Sequence, residues 1–249
     1  MYFLYCTTLF AVVFENVNDL LKNITENGYS TLMENDSKER ATRLTNHEIT
    51  KLRVQSKIAE YDIPKAIRQF GLLSDTQYLY VDYMTRHYRI DKTNGVTEWS
   101  DDGFAADGSA SVHEAGFNEV LTIFDILFYS CEDAFLCGEY TVMQNLSRVQ
   151  TTAYYAGKGA FHQSEAYWDP QPEKLAAACE RLGGVPAGKG DVSYRIPVFQ
   201  NIDMILQFWQ SDEEFPASMQ FLFDQNLLQF MHYETVWYVV SHCLDLLKQ

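Results

Sequence analysis

The chain has 249 residues, 47% of them hydrophobic and 14% aromatic, enough apolar length for one well-covered core and too much for disorder to be the default state. Its formal net charge is −15, and from Gly71 onward ten Lys or Arg stand against twenty-five Asp or Glu, with no base at all between Lys92 and Arg148. Phosphate backbones and anionic lipid surfaces are held by clustered Lys and Arg, so this balance excludes nucleic acid and membrane as expected partners.

Tyr2 to Phe14 is apolar but about half the length of a membrane-spanning helix, and no basic residue precedes it as a signal peptide requires. Residues 1–40 therefore read as an N-terminal extension and 41–249 as a single domain. MENDSKER from Met33 resembles the start of a soluble protein, which makes Met33 a candidate translation start. A docked N-terminal strand or helix and an interfacial anchor are the alternatives.

Thr45 and Glu48 form a TxxE capping box ahead of Ile49, Leu52, Val54 and Ile58, which predicts a helix from about Asn46 to Tyr61. A shorter helix follows Asp62 and Pro64 and ends at Gly71. Tyr78 to Met84 and Arg86 to Ile90 carry β-formers in near alternation, and Asn94-Gly95 is a hairpin turn leading into Val96 to Trp99. Asp101 to Ser111 is rich in Gly, Asp and Ser and reads as a surface loop, without the alternating ligands of an EF-hand.

Phe117, Val120, Leu121, Phe124, Leu127 and Phe128 share one face at helical spacing and mark a core helix. After Gly138, short extended pieces are expected around Tyr140 and Tyr154. Asp169-Pro170 opens a helix with Leu175, Ala178, Cys179 and Leu182 on one face, closed by Gly183-Gly184. Ser193 to Val198 alternates Tyr194, Ile196 and Val198 inward, and Pro197 places that strand at an edge or a bend. Its partner is Asp203 to Trp209, with Met204, Leu206 and Phe208 on one face, and a closing helix runs from about Glu234 to Leu247. Strands in hairpins and helices in separate blocks predict an α+β fold, a mainly antiparallel sheet with helices packed on one face.

GGVPAGKG at Gly183 to Gly190 satisfies GxxxxGK, but Gly190 stands where a phosphate loop needs Ser or Thr, and a helix precedes it where a strand is required. The five cysteines contain no CxxC pair and fit neither a disulfide framework nor a zinc ribbon, so reduced thiols in a cytoplasmic protein are expected. The six histidines show neither HExxH nor HxH spacing. No nucleophile elbow and no family-typical Cys and His context is present.

The most informative stretch is FWQSDEEFP, Phe208 to Pro216. Three adjacent carboxylates repel one another and must be solvated, paired or holding a cation. Three readings follow for Asp212, Glu213 and Glu214. They cap backbone N–H groups and pair with Arg195 or another base, while Phe215 and Pro216 lock the turn into the core. One of them joins Asp224 or Glu234 around Mg²⁺ or Ca²⁺, the metal candidates being Asp212, Glu214, Asp224 and His232. Or two of them sit in unlike environments as acid and base.

Trp209, Asp212, Glu213, Glu214, Phe215, Pro216, Leu222, Phe223 and Asp224 together carry a resemblance. This tail resembles that of an uncharacterised prokaryotic family, domain of unknown function three-seven-eight-six, whose layout also fits the Tyr78 to Trp99 hairpin, the helix after Gly116 and the CGEY turn at Gly138 and Glu139. The resemblance spans roughly Ala41 to the end. It implies a setting in anaerobic bacteria or archaea, and some members resemble this chain fused to an iron–sulfur domain like that of corrinoid proteins in acetyl-CoA metabolism. This chain lacks such a cysteine cluster, and the family has no established catalytic residues to carry over.

The expected function is that of a cytoplasmic accessory protein whose aromatic-rich cleft meets a small molecule or a protein partner, with Trp209, Asp212, Glu213, Glu214 and Asp224 as candidate ligand-binding residues. A metal- or carboxylate-dependent enzyme centred on the DEEFP turn is the alternative, and a structural or oligomerisation role is the third. The sequence specifies neither a cofactor nor an oligomeric state.

Overall fold

The structure is a computed structural model that describes residues 44–104, 111–146 and 161–249, almost all of them within the unit His47–Gln249. Helix α1 (Asn46–Ser56) is followed by a separate 3-10 turn, Ile58–Glu60, rather than continuing to Tyr61. Ser56 Oγ donates to Arg53 O at 2.9 Å, and a hydroxyl that competes for the backbone in this way favours a helix end. Helix α2 (Ile63–Phe70) has the termini read from the sequence. Asp62 Oδ1 accepts from Lys65 N at 2.9 Å, and Gly71 closes the helix at φ 63° in the left-handed region.

Strands β1 (Tyr78–Tyr83), β2 (Arg86–Asp91), β3 (Thr97–Ser100) and β4 (His113–Glu114) form an antiparallel sheet in that order. Asn94 and Gly95 lie in the turn between β2 and β3, with Gly95 at φ 74° and its N–H donating to Asp91 O at 2.7 Å. The expected loop Asp101 to Ser111 falls partly on residues 105–110, outside the described residues. Helix α3 (Phe117–Tyr129) follows, and then β5 (Tyr140–Val142). Tyr154 also lies outside the described residues.

Helix α4 (His162–Trp168) was not expected from the sequence, and α5 (Pro172–Arg181) begins at Pro172 rather than after Asp169-Pro170. Asp169 is engaged otherwise. Its N–H donates to Glu165 O, capping the end of α4, and its carboxylate accepts from Ser211 N and Oγ at 2.8 and 2.7 Å. Proline serves at a first helical position because no partner for its missing N–H is required there, and Pro172 fills that role.

Strands β6 (Val185–Pro186), β7 (Val192–Phe199), β8 (Ile202–Trp209) and β9 (Ser218–Asp224) join β5 in a second antiparallel sheet, ordered β5-β9-β8-β7-β6. Pro197 stands at a register shift between β7 and β8, the bend that its missing donor imposes. Ile205 and Gln207 are buried as well as Met204, Leu206 and Phe208, so β8 is covered on both faces, as suits the middle strand. GGVPAGKG follows the end of α5 and runs through β6 into the turn before β7, and Gly190 approaches Phe208 O so closely that a Cβ would lie 2.7 Å from it.

Helix α6 (Tyr233–Leu247) packs along α3, α5 packs on β7 and α4 on β9. One apolar cluster unites these layers, and α3 and α6 contribute Val120, Ile123, Phe124, Leu127, Val236, Val239, Val240 and Leu246 to it. Each such side chain contributes about 1.5–3 kcal/mol by leaving water. The fold is α+β with antiparallel sheets, as the element order predicts, but the strands divide between two sheets instead of building one.

Candidate functional site

Helix α3 begins with Gly116 as its N-cap, which has no side chain to offer the exposed amides. Glu119, three residues on, bends back so that Oε2 accepts from Gly116 N at 2.5 Å. A Cβ at position 116 would lie 2.9 Å from that oxygen, so the carboxylate packs tightly against the helix end. The other oxygen, Oε1, accepts from Tyr88 Oη at 2.5 Å and from Arg86 Nη1 at 3.0 Å. Arg86 is held by the Trp99 ring, 3.7 Å from guanidinium carbon to centroid.

His242 of α6 completes the group. Its Nε2 lies 3.9 Å from Glu119 Oε1, and its ring stacks on Tyr83 at 5.2 Å between centroids. Nε2 has no hydrogen-bond partner among the described residues. Orphaned buried polar atoms are uncommon, and others occur at Gln55, Gln69, Trp168 and Ser193, away from this group. Burial pushes the His242 imidazole below its ordinary pKa; Arg86 adds to the effect, while Glu119 and Asp245 oppose it. Burial, reinforced by Glu119, pushes the Tyr88 phenol well up.

Glu119 and His242 form the inner end of a cleft of about 560 Å³ between the start of α3 and the outer face of α6. Phe117, Trp237 and Tyr238 supply its walls, with His47 at the rim. Phe117 meets Tyr238 edge-on at 5.3 Å and stacks on His47 at 4.4 Å. Sites for small ligands have this size and character, apolar walls with a few convergent polar groups.

The residues singled out in the sequence do not assemble around this cleft. Trp209 ends β8, half-buried and paired in register with Ser218. Asp212 closes a local turn, its Oδ1 accepting from Glu214 N at 2.8 Å and Phe215 N at 2.7 Å. Those two amides hold its carboxyl below the ordinary range. Glu213 and Glu214 are exposed, Arg195 pairs with Asp203 at 3.7 Å, and Phe215 is 66% exposed, so neither the guanidinium nor the aromatic ring anchors the turn as expected.

Asp224 lies at the far end of β9 from that turn, roughly 20 Å along a seven-residue strand. It is buried and accepts from Cys137 N, Gly138 N and Asn226 N at 3.2, 2.6 and 2.8 Å. Burial raises its pKa, but the amides of Asn226, Gly138 and Cys137 outweigh burial and hold the carboxyl below its ordinary value. His232 is elsewhere again, donating its backbone N–H to Asp125 at 2.7 Å with Nδ1 2.6 Å from the same carboxylate. No group of three or more His, Cys, Asp or Glu among the described residues is placed to hold a metal.

Glu119, Arg86, Trp237 and His242 do not stand out as a site in the sequence. Glu119 sits inside the apolar stripe of α3, and Trp237 fits the core stripe of α6. The available signal was the pattern G-x-x-E, a carboxylate three residues after a helix start that carries no capping side chain.

Fold and site together define an α+β protein with one aromatic cleft backed by a buried, arginine-paired carboxylate. The chain belongs to the family described as Domain of unknown function (DUF3786), whose model matches residues 62–245. None of the curated proteins and none of the solved structures matches it.

Proposed function

We propose that the protein is a cytoplasmic accessory module that binds a small organic molecule in the cleft between α3 and α6. The observation that carries this reading is the presence of two buried polar side chains, Glu119 and His242, in the lining of a cleft whose other walls are aromatic. The free thiols of Cys131, Cys137, Cys179 and Cys243 support a reducing compartment, and the net charge of −15 speaks against nucleic acid as the ligand.

A library of small polar aromatic fragments, screened by nitrogen-15 NMR on the full chain, tests the reading. Binding fragments are expected to move the amides of Phe117, Asn118 and Ser241 and the Trp237 indole together. If no fragment moves those resonances, or if all that bind move a different region, the cleft is not the binding site.

A further inference from the structure

Resting on the reading of the cleft as a ligand site, we propose that its ligand carries a positively charged nitrogen, an organic ammonium or guanidinium group set against the aromatic wall. Two carboxylates, Glu119 and Asp245, line the cleft, and no Lys or Arg does among the described residues. Glu119 is matched by Arg86, but Asp245 is exposed and forms no ion pair with a described residue. One negative charge is therefore left for a ligand to meet.

The walls agree with that charge. Phe117, Trp237 and Tyr238 line the cleft, and aromatic rings attract cations through their negative quadrupole, as in sites for choline and methylated lysine. An acidic molecule of net charge −15 raises the local concentration of cations and lowers that of anions.

The feature that would favour an anion is the amino end of α3, positive through its aligned peptide dipoles. Glu119 Oε2 lies 2.5 Å from Gly116 N, so the protein's own carboxylate meets the first of those amides and its negative charge opposes a second anion there. His242 adds no positive charge near neutral pH, because burial favours its neutral form.

Benzylamine, benzyl alcohol and benzoate have nearly the same shape and differ in charge, which makes them a direct probe. Titrated into the full chain at physiological ionic strength and followed at the Trp237 indole resonance, benzylamine is expected to bind about ten-fold more tightly than benzyl alcohol, and benzoate more weakly than both. Asp245→Asn is expected to close the gap between amine and alcohol without changing the affinity for the alcohol. The triple variant Asp212→Asn, Glu213→Gln, Glu214→Gln removes more charge at a turn outside the cleft and is expected to leave amine binding as it is.

Equal binding of all three probes, or tightest binding of benzoate, overturns the charge assignment and leaves the cleft as a ligand site. An effect of the triple variant as large as that of Asp245→Asn also overturns it, since the attraction would then belong to the whole molecule. Failure of all three probes together with a silent fragment screen removes the binding site itself.

Discussion

Arg86 on β2 and Glu119 on α3 tie the first sheet to the helical layer, with Nη1 3.0 Å from Oε1 and side chains only 12% and 9% exposed. A pair this well covered is costly to break one-sidedly, because the remaining charge stays buried without a partner. Glu119→Ala is expected to lower stability by about 3–5 kcal/mol in urea unfolding. The double variant with Arg86→Ala is expected to lose at least about 1 kcal/mol less than the two single losses added together. Strict additivity would mean that the two residues act independently, and the pair would not be the link between the layers.

His242 is poised to weaken the fold in acid. Its folded pKa lies below the unfolded value of 6.5 because burial disfavours the imidazolium. The unfolded chain therefore binds the proton first, and the contribution of His242 is complete above pH 6.5 and lost as the pH falls from there through the lower folded value. His242→Phe keeps a ring against Tyr83 and has nothing to titrate. Its unfolding free energy is expected to fall less steeply than that of the wild type between about pH 7 and pH 5. Parallel curves for the two proteins would show that His242 is protonated as readily in the folded state as in the unfolded one.

His232 works in the opposite sense at the start of the same helix. Burial lowers its pKa, but the hydrogen bond and charge of Asp125 outweigh burial and raise it above 6.5. The stabilisation is present below pH 6.5 and disappears as the pH rises through the folded value. Asp125 also accepts from Thr235 Oγ1 and from His232 N, so it serves as the cap that α6 does not supply for itself. Asp125→Asn keeps an acceptor for these donors but loses the charge. The variant is expected to be less stable than wild type at pH 6 and to approach it by pH 9, measured as melting temperature. A gap that does not narrow with pH would assign the whole effect to hydrogen bonding.

Much of this architecture was legible because local rules and tertiary packing agree. Asp62, Pro64 and Gly71 delimit α2 by cap chemistry alone, and Val120, Leu121, Phe124, Leu127 and Phe128 of the α3 stripe join the core as their spacing requires, whereas Phe117 at its start lines the cleft instead. The second sheet was harder to foresee, since strand pairing at long sequence separation leaves no trace in local alternation; β5 pairs with β9, more than seventy residues later. The acidic turn drew attention for its charge, and the structure accounts for Asp212 by a local hydrogen-bonded turn. Glu119 escaped notice for the converse reason. Its partners Arg86, Tyr88 and His242 come from two strand positions and a distant helix, and a single carboxylate in an apolar stripe announces none of them.

Gly95 and Gly71 separate two costs that a glycine substitution usually mixes. Both have positive φ, 74° and 63°, so alanine at either is strained by about 1 kcal/mol from the left-handed backbone alone. Around Gly71 a new Cβ meets nothing within 4 Å, whereas at Gly95 it would lie 2.1 Å from Gln55 O, against the backbone of α1. A backbone atom cannot swing aside as a flexible side chain does, so α1 or the β2–β3 turn must shift. Gly71→Ala is therefore expected to cost about 1 kcal/mol, and Gly95→Ala at least about 2 kcal/mol more, compared by urea unfolding under one set of conditions. Hydrogen exchange should further show α1 amides opening in Gly95→Ala before those of β1. If the two variants lose the same stability, α1 does not rest on the hairpin turn, and the rim residue His47 loses the support that holds it beside Phe117.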